Sequence, residues 1–343
     1  MKRLIKLTTP ATIRSFSAVG GYEEGRGPLG KRFDHIDERC LFGKDTWEKA
    51  EAEMSRTSLN LALTKASLSH EELDVIVAGD LQNQCVASAI GLSSFGTGYL
   101  GIYGACSSCA EGLVIASSLL SQEGGRAAVV TSSHNSAAER QFRMPVEYGG
   151  QRTPSAGWTS TAAASFILEA QDGSTGDVCI SNCLIGKMVD GATTDGSNLG
   201  GAMAFAALDS ILTYFELSGE SACEFDYIVT GDLGKVGSLV LGELLSDALP
   251  AAAPRHIDCG NILYGTQCDV HGGASGCGTS AAVLATHFLP KLQSGELSNI
   301  LFFSTGALMS PSSLLQGESI IGIAHGVKIS RKNFLSSERG NRI

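Results

Sequence analysis

Leu73-Asp74-Val75-Ile76-Val77-Ala78-Gly79-Asp80-Leu81 has a near copy later in the chain, Phe225-Asp226-Tyr227-Ile228-Val229-Thr230-Gly231-Asp232-Leu233. Each copy carries an apolar residue, an aspartate, a β-branched apolar run, one spacer and then Gly-Asp-Leu. A short apolar run ending in glycine reads as a buried parallel strand. More echoes follow in the same order. Gly104-Ala105-Cys106-Ser107-Ser108-Cys109 opens an apolar, small-residue helix reaching Leu120, and Gly273-Ala274-Ser275-Gly276-Cys277 opens another reaching Leu289. Strands at 127–131 and 300–304 come next, then closing strands at 164–168 and 321–329. A helical stretch precedes each Gly-Asp-Leu strand: Thr46 to Ala66, with Thr46 as N-cap, and Gly201 to Leu217. Four echoes in one order indicate duplication rather than the general likeness of α/β units. The turn-rich cluster Gln171-Asp172-Gly173-Ser174 is the expected joint, which gives halves 1–172 and 173–343. Alternating strands and helices predict an α/β fold with mostly parallel sheets covered by helices.

Composition narrows the function classes. The 343 residues are 43% hydrophobic and only 17% charged, which excludes a disordered chain. A net charge of −10 argues against a nucleic-acid binder, which carries a basic footprint. Met1-Lys2-Arg3-Leu4-Ile5-Lys6-Leu7 is basic but leads into no long apolar region, so no signal peptide is expected. No run of about 18 uncharged apolar residues occurs, so no transmembrane helix is expected either. The ten cysteines are scattered through apolar segments, and most of them read as reduced, buried residues. Cys179 and Cys183 share a strand face without a partner pair at zinc spacing, and read as core. No metal site and no cofactor are expected.

Cys106 is the first candidate for chemistry. It stands where a loop enters a helix, and the positive end of a helix dipole favours thiolate. Gly104, Ala105, Ser107 and Ser108 around it are small enough to admit a ligand. The plain alternative is a packed core cysteine. Cys106-Ser107-Ser108-Cys109 also has C-x-x-C spacing, but no proline lies between the cysteines and no aromatic precedes them, so a redox role is disfavoured.

Gly-Ala-Cys-Ser-Ser before an apolar small-residue helix resembles the nucleophile elbow of thiolases and ketoacyl synthases. That superfamily implies two duplicated α/β halves packed as a five-layered αβαβα sandwich. The segments 78–84, 131–143, Glu147-Tyr148-Gly149-Gly150-Gln151, 230–233 and Ile323-Ala324-His325-Gly326-Val327 resemble the stage V sporulation protein AD family of endospore-forming bacteria. The resemblance covers nearly the whole chain.

It implies two functions that compete. Superfamily ancestry implies acyl transfer through Cys106. The narrower family implies binding of dipicolinic acid, free or as the calcium chelate, and support of its uptake into the developing spore. It also implies partnership with other stage V sporulation A proteins, several of them membrane-embedded. The chain is then peripheral at the inner membrane of the forespore. The thiolase likeness implies a homodimer built on the sheet edge just before the elbow.

The catalytic set is incomplete by this comparison. The histidine expected after the second-half strand is replaced by Gly231 or Asp232, and the expected asparagine by Ala274. Neither replacement supplies an imidazole base or an amide donor. His134, His271 and His325 are the remaining base candidates. His134 follows a strand end, on the rim where ligands collect in parallel sheets. Near it stand Glu139, Arg140, Arg143, Glu147, Gln151 and Arg152. A dicarboxylate needs bidentate guanidinium anchors, so Arg140 and Arg143 are candidate ligand contacts together with Asp80, Cys106, His134 and Gln151. A solvated loop of Arg–Glu pairs is the alternative reading of that segment. Asp80, with Gln82 and Gln84 beside it, is expected to bond a ligand or a structural partner. Asp80 or Glu147 could also face a chelated calcium, which takes oxygen ligands.

Overall fold

A computed structural model describes residues 3–142, 152–170, 178–266 and 270–332. Arg143, Glu147, Gln151 and the expected joint after residue 172 lie outside the described residues.

The Gly-Asp-Leu repeat does mark equivalent strands. In the first half, Val75–Gly79 pairs in parallel with Gly98–Gly101 on one side and Arg126–Ser133 on the other. Ala162–Ala170 then runs antiparallel to Arg126–Ser133, and Leu4–Gly20 antiparallel to Ala162–Ala170. The second half repeats this order. Tyr227–Thr230 lies in parallel between His256–Asp258 and Asn299–Leu308. Ile321–Arg331 is antiparallel to Asn299–Leu308, and Val178–Leu184 antiparallel to Ile321–Arg331. The likeness holds strand for strand, in order and direction.

The two sets join into one twelve-stranded hydrogen-bonded sheet. The join is the long strand Leu4–Gly20. Its start pairs Leu4 with Leu184, and its later residues pair Ala11 with Ala170 and onward.

Helices sort into three layers around these strands. Trp47–Ala66 and Val86–Leu92 cover the outer face of the first set, and Leu199–Ser218 and Gly234–Ala248 cover that of the second. Ser108–Glu123 and the helix beginning at Cys277 lie between the two sets, giving five layers. Composition explains the middle position. Ser108–Glu123 buries Ala110, Gly112, Leu113, Val114, Ala116 and Leu120, which do not form one stripe. A helix apolar on more than one side must be covered on more than one side. The outer helix Trp47–Ala66 has a single buried face and ordinary ends. Thr46 Oγ1 accepts from the Lys49 amide at 3.3 Å, and Ser67 closes it in the left-handed region at φ +55°.

Candidate functional site

The elbow sits deep in the middle layer. Ala105–Ser107 forms one tight turn ahead of the Ser108–Glu123 helix. Ala105 has φ +49°, a left-handed conformation that costs a residue with a Cβ. Local bonds hold the turn. The Gly104 carbonyl accepts from the Ser107 amide at 3.0 Å and from Ser107 Oγ at 2.6 Å. Ser108 Oγ donates to the Ala105 carbonyl at 2.8 Å. Gly306, on the neighbouring strand, is required here, because a Cβ on it would stand 2.3 Å from the Gly104 carbonyl oxygen.

Cys106 is only 7% exposed and packs with Leu81, Ala138 and Cys277. The charged group that acts on its thiol is the carboxylate of Asp232. Asp232 is itself buried, and it is heavily bonded. Its Oδ2 accepts from the Gly276 amide at 2.9 Å and Ser275 Oγ at 3.1 Å, and its Oδ1 from Thr305 Oγ1 at 2.9 Å. Gly276 is held at φ +101°, and a Cβ there would meet Ser133 Oγ at 2.8 Å.

The thiolate expected from the helix terminus is corrected by these surroundings. Burial pushes the Cys106 thiol well above its ordinary value, and the negative charge of the Asp232 carboxylate pushes it further. The Gly276 amide and Ser275 act in the opposite direction with less effect. Helix dipoles contribute about 0.3–1 kcal/mol at exposed ends, too little to reverse the desolvation of a buried anion. At neutral pH the sulfur therefore keeps its proton.

The two repeated aspartates have different duties. Asp80 faces its own half: Oδ1 accepts from the Gln82 amide at 2.9 Å, and Oδ2 from the Ser88 amide at 2.8 Å and Ser88 Oγ at 2.6 Å. It fixes the loop into Val86–Leu92. In the second half Asp258 performs that task, accepting from the Leu233 and Gly234 amides at 3.0 and 2.9 Å and from Thr230 Oγ1 at 2.7 Å. Asp232 is thereby released to meet Cys106. These bonds are structural partners of the kind expected for Asp80.

The histidines do not assemble as a base beside the thiol. His134 is buried, with Nε2 2.7 Å from the Cys40 carbonyl, so Nε2 carries the proton. Its Nδ1 is buried with no hydrogen-bond partner among the described residues, and burial lowers its pKa. His271 holds the Thr153 carbonyl through Nδ1 at 3.0 Å. His325 accepts from the Gly186 amide at 3.1 Å, and burial lowers it to about 4. Arg140 is paired with Glu48 and lies over the Trp47 ring, 5.2 Å from its centroid. It belongs to an outward-facing cavity of about 270 Å3 with Glu48, Gln82, Asn83, Ala137 and Gln141. Arg152 stacks on Trp158 at 4.3 Å.

Sequence reasoning noted Asp232 only as a missing histidine, and it missed Ser275, Thr305, Asp258 and Glu51. Glu51 is buried beside Asp80 and accepts from Gln82 Nε2 at 2.8 Å and Ser132 Oγ at 3.1 Å. The repeat itself held a usable signal, since matched Gly-Asp-Leu copies make Asp232 the counterpart of Asp80. The crevice reaching Asp232 measures about 20 Å3, room for one water and no organic ligand. Among the described residues, no group of three or more His, Cys, Asp or Glu is arranged to hold a metal.

Comparison with known proteins agrees with this geometry. Two solved structures share the fold. One is a single-residue variant of Xanthomonas campestris OleA, with a TM-score of 0.63 at 12% identity over 95% of this chain and 100% of that one. The other is 3-oxoacyl-(acyl carrier protein) synthase III, FabH, from Xanthomonas oryzae pv. oryzae, with 0.59 at 14% over 94% and 100%. The five-layered thiolase-like architecture is thus shared, although the sequences have diverged. Stage V sporulation protein AD of Bacillus subtilis (strain 168) is 37% identical over 325 residues, covering 94% of this chain and 95% of that protein. The profile of stage V sporulation protein AD (SpoVAD) matches residues 1–330. With its fold, its repeat and its altered elbow accounted for, the chain belongs to the stage V sporulation protein AD family.

Proposed function

We propose that this sporulation protein binds dipicolinic acid, free or as the calcium chelate, and supports its uptake into the developing spore. The observation that carries the reading is the pairing of Cys106 with Asp232. A thiol kept protonated by a buried carboxylate is a poor acyl acceptor, so the elbow is better suited to shaping a pocket than to covalent turnover.

The ligand is assigned to the 270 Å3 cavity above the elbow, between the loop after Asp80 and the helix Asn135–Phe142. Arg140 exchanges Glu48 for a ligand carboxylate, and the Asn83 and Gln141 amides supply further donors. Leu81 and Ala138, next in sequence to the lining residues Gln82 and Ala137, pack against Cys106. Arg143 and Gln151 follow the same helix in sequence and stay within the proposed ligand set. Calcium enters with the ligand, as part of the chelate.

Titration calorimetry of the full chain with dipicolinate, with and without calcium, tests the reading. Wild type is expected to bind, and Arg140→Gln to bind about tenfold more weakly, the worth of one charge-assisted pair. Absence of binding by wild type in both conditions removes it.

No helix among the described residues is long and apolar enough to cross a membrane. We place the protein peripherally at the inner membrane of the forespore, held by other stage V sporulation A proteins. A homodimer is proposed through the unpaired edge strand Gly98–Gly101, where Tyr99 and Leu100 are exposed with Tyr103 just beyond. Such an edge is a ready template for a second chain. Sedimentation velocity is expected to give twice the chain mass, and a monomer when Leu100 is replaced by lysine. A monomeric wild type at micromolar concentration contradicts it.

A further inference from the structure

A second groove lies away from the elbow, along the strand Leu4–Gly20, and shares no lining residue with the cavity assigned to dipicolinate. Its volume is about 380 Å3, within the range of small-molecule sites at about 300–1,000 Å3. Arg14, Arg32 and Lys65 line it, against the single carboxylate of Asp34. In a chain of net charge −10, three cations facing one space is a local reversal of sign.

Two of the cations are fixed. Arg14 donates through Nη1 to Glu169 at 2.7 Å and through Nη2 to the Ala66 carbonyl at 2.9 Å. Glu169 is shared with Arg126, whose Nε reaches it at 2.6 Å, so one carboxylate serves two guanidiniums. Lys65 is held by Asp34 at 2.6 Å and the Phe16 carbonyl at 2.9 Å. Arg32 differs. Among the described residues it meets no carboxylate within ion-pair distance, and its Nη1 makes only a long 3.4 Å bond to the Thr286 carbonyl.

The opposite wall is irregular. The helix from Cys277 widens into a π turn at Leu284–Phe288 before continuing as Leu289–Ser294. Ala285 and Thr286 of that turn, with Gln293 beyond it, form the wall. Single π turns within helices recur at functional sites. The field of the groove is felt nearby: His287 is lowered to about 4, first by burial and then by the charges of Lys291 and Arg32.

We propose that this groove is an anion site for a phosphate-bearing ligand, with Arg32 as the adjustable clamp and Arg14 and Lys65 as fixed cations. Arg14 and Lys65 already hold one carboxylate each, so a singly charged ligand gains little beyond Arg32. A phosphate carries nearly two charges and three acceptor oxygens, enough to engage Arg32, Lys65 and the Gln293 amide together. The same chemistry is offered by a soluble phosphate and by a lipid headgroup that is itself a phosphomonoester, as in phosphatidic acid.

The test uses the full chain as wild type, Arg32→Glu and Lys65→Gln. Inorganic phosphate is titrated calorimetrically at low and moderate salt, and sedimentation with phosphatidylcholine vesicles containing or lacking phosphatidic acid is measured in parallel. Arg32 is exposed and holds one weak bond, so Arg32→Glu is expected to keep the wild-type melting temperature. Phosphate binding that weakens with salt and falls about tenfold or more in Arg32→Glu supports a soluble ligand. Vesicle binding lost in Arg32→Glu, without binding of free phosphate, supports a headgroup. Lys65→Gln is expected to weaken whichever binding is found. If wild type binds neither probe, or Arg32→Glu binds as wild type does, the proposal is overturned.

Discussion

Stability is expected to fall as the pH is raised from 6.5 to 8, and Glu51→Gln is expected to flatten that fall. Burial raises Glu51 to about 8, with the charge of Asp80 adding to the shift, and raises Glu24 and Asp258 to about 7. In the unfolded chain these carboxyls ionise near pH 4. Between that pH and their folded values the unfolded state has released protons that the folded state keeps. Each such group then removes up to about 1.4 kcal/mol of stability per pH unit. Histidines act in the opposite sense lower down. His256, His287 and His325 are depressed to about 4, so the unfolded state binds more protons below about pH 6.5 and acid costs stability there. The two limbs oppose each other from about pH 4 to 6.5, and only the carboxyl limb operates from 6.5 to 8. Glutamine keeps the size of Glu51 and cannot ionise. Melting temperatures at pH 6.5 and 8 check this. A wild type equally stable at both, or an unchanged slope in Glu51→Gln, removes the explanation.

Lys328→Met is expected to destabilise the protein by about 3–5 kcal/mol. Lys328 is 1% exposed, and its Nζ lies 2.9 Å from Glu220, itself only 8% exposed. The ammonium also lies over the Phe225 ring at 5.5 Å. Glu220 takes a second bond from the Tyr214 hydroxyl at 2.7 Å, and that hydroxyl accepts from Asn182 Nδ2 at 3.1 Å. Removing the lysine leaves a desolvated carboxylate held by neutral donors, which costs more than the pair itself contributes. The double variant Lys328→Met with Glu220→Gln is therefore expected to recover most of the loss. Urea denaturation midpoints of wild type and the single and double variants decide it. A single variant within about 1 kcal/mol of wild type contradicts the assignment.

The fold was legible because duplication writes it twice. The Gly-Asp-Leu copies, the two small-residue helices and the closing strands all fell on equivalent elements, and strong periodicity in buried strands survives changes of loop length. The elbow was legible for the same reason, since small residues around one cysteine before an apolar helix leave few alternatives. Its electrostatics were not. Asp80 and Asp232 occupy the same place in the repeat, and only the three-dimensional position of Asp258 shows which is free to meet Cys106. Arg140 was singled out by charge density, yet a local sequence does not reveal that Glu48, far away in the chain, pairs with it. Glu51 was missed because it stands between Glu48 and Glu53 in one helix, where a glutamate reads as a solvated position until the packing around it is known.

The strand that joins the two sets of strands also sets an order of events during synthesis. Leu4 to Lys6 pair with Cys183 and its neighbours, so these residues wait for the synthesis of residues far along the chain before finding their partners. Until then an apolar strand end stays uncovered. Contacts of such long sequence separation slow folding and prolong the exposure of sticky intermediates.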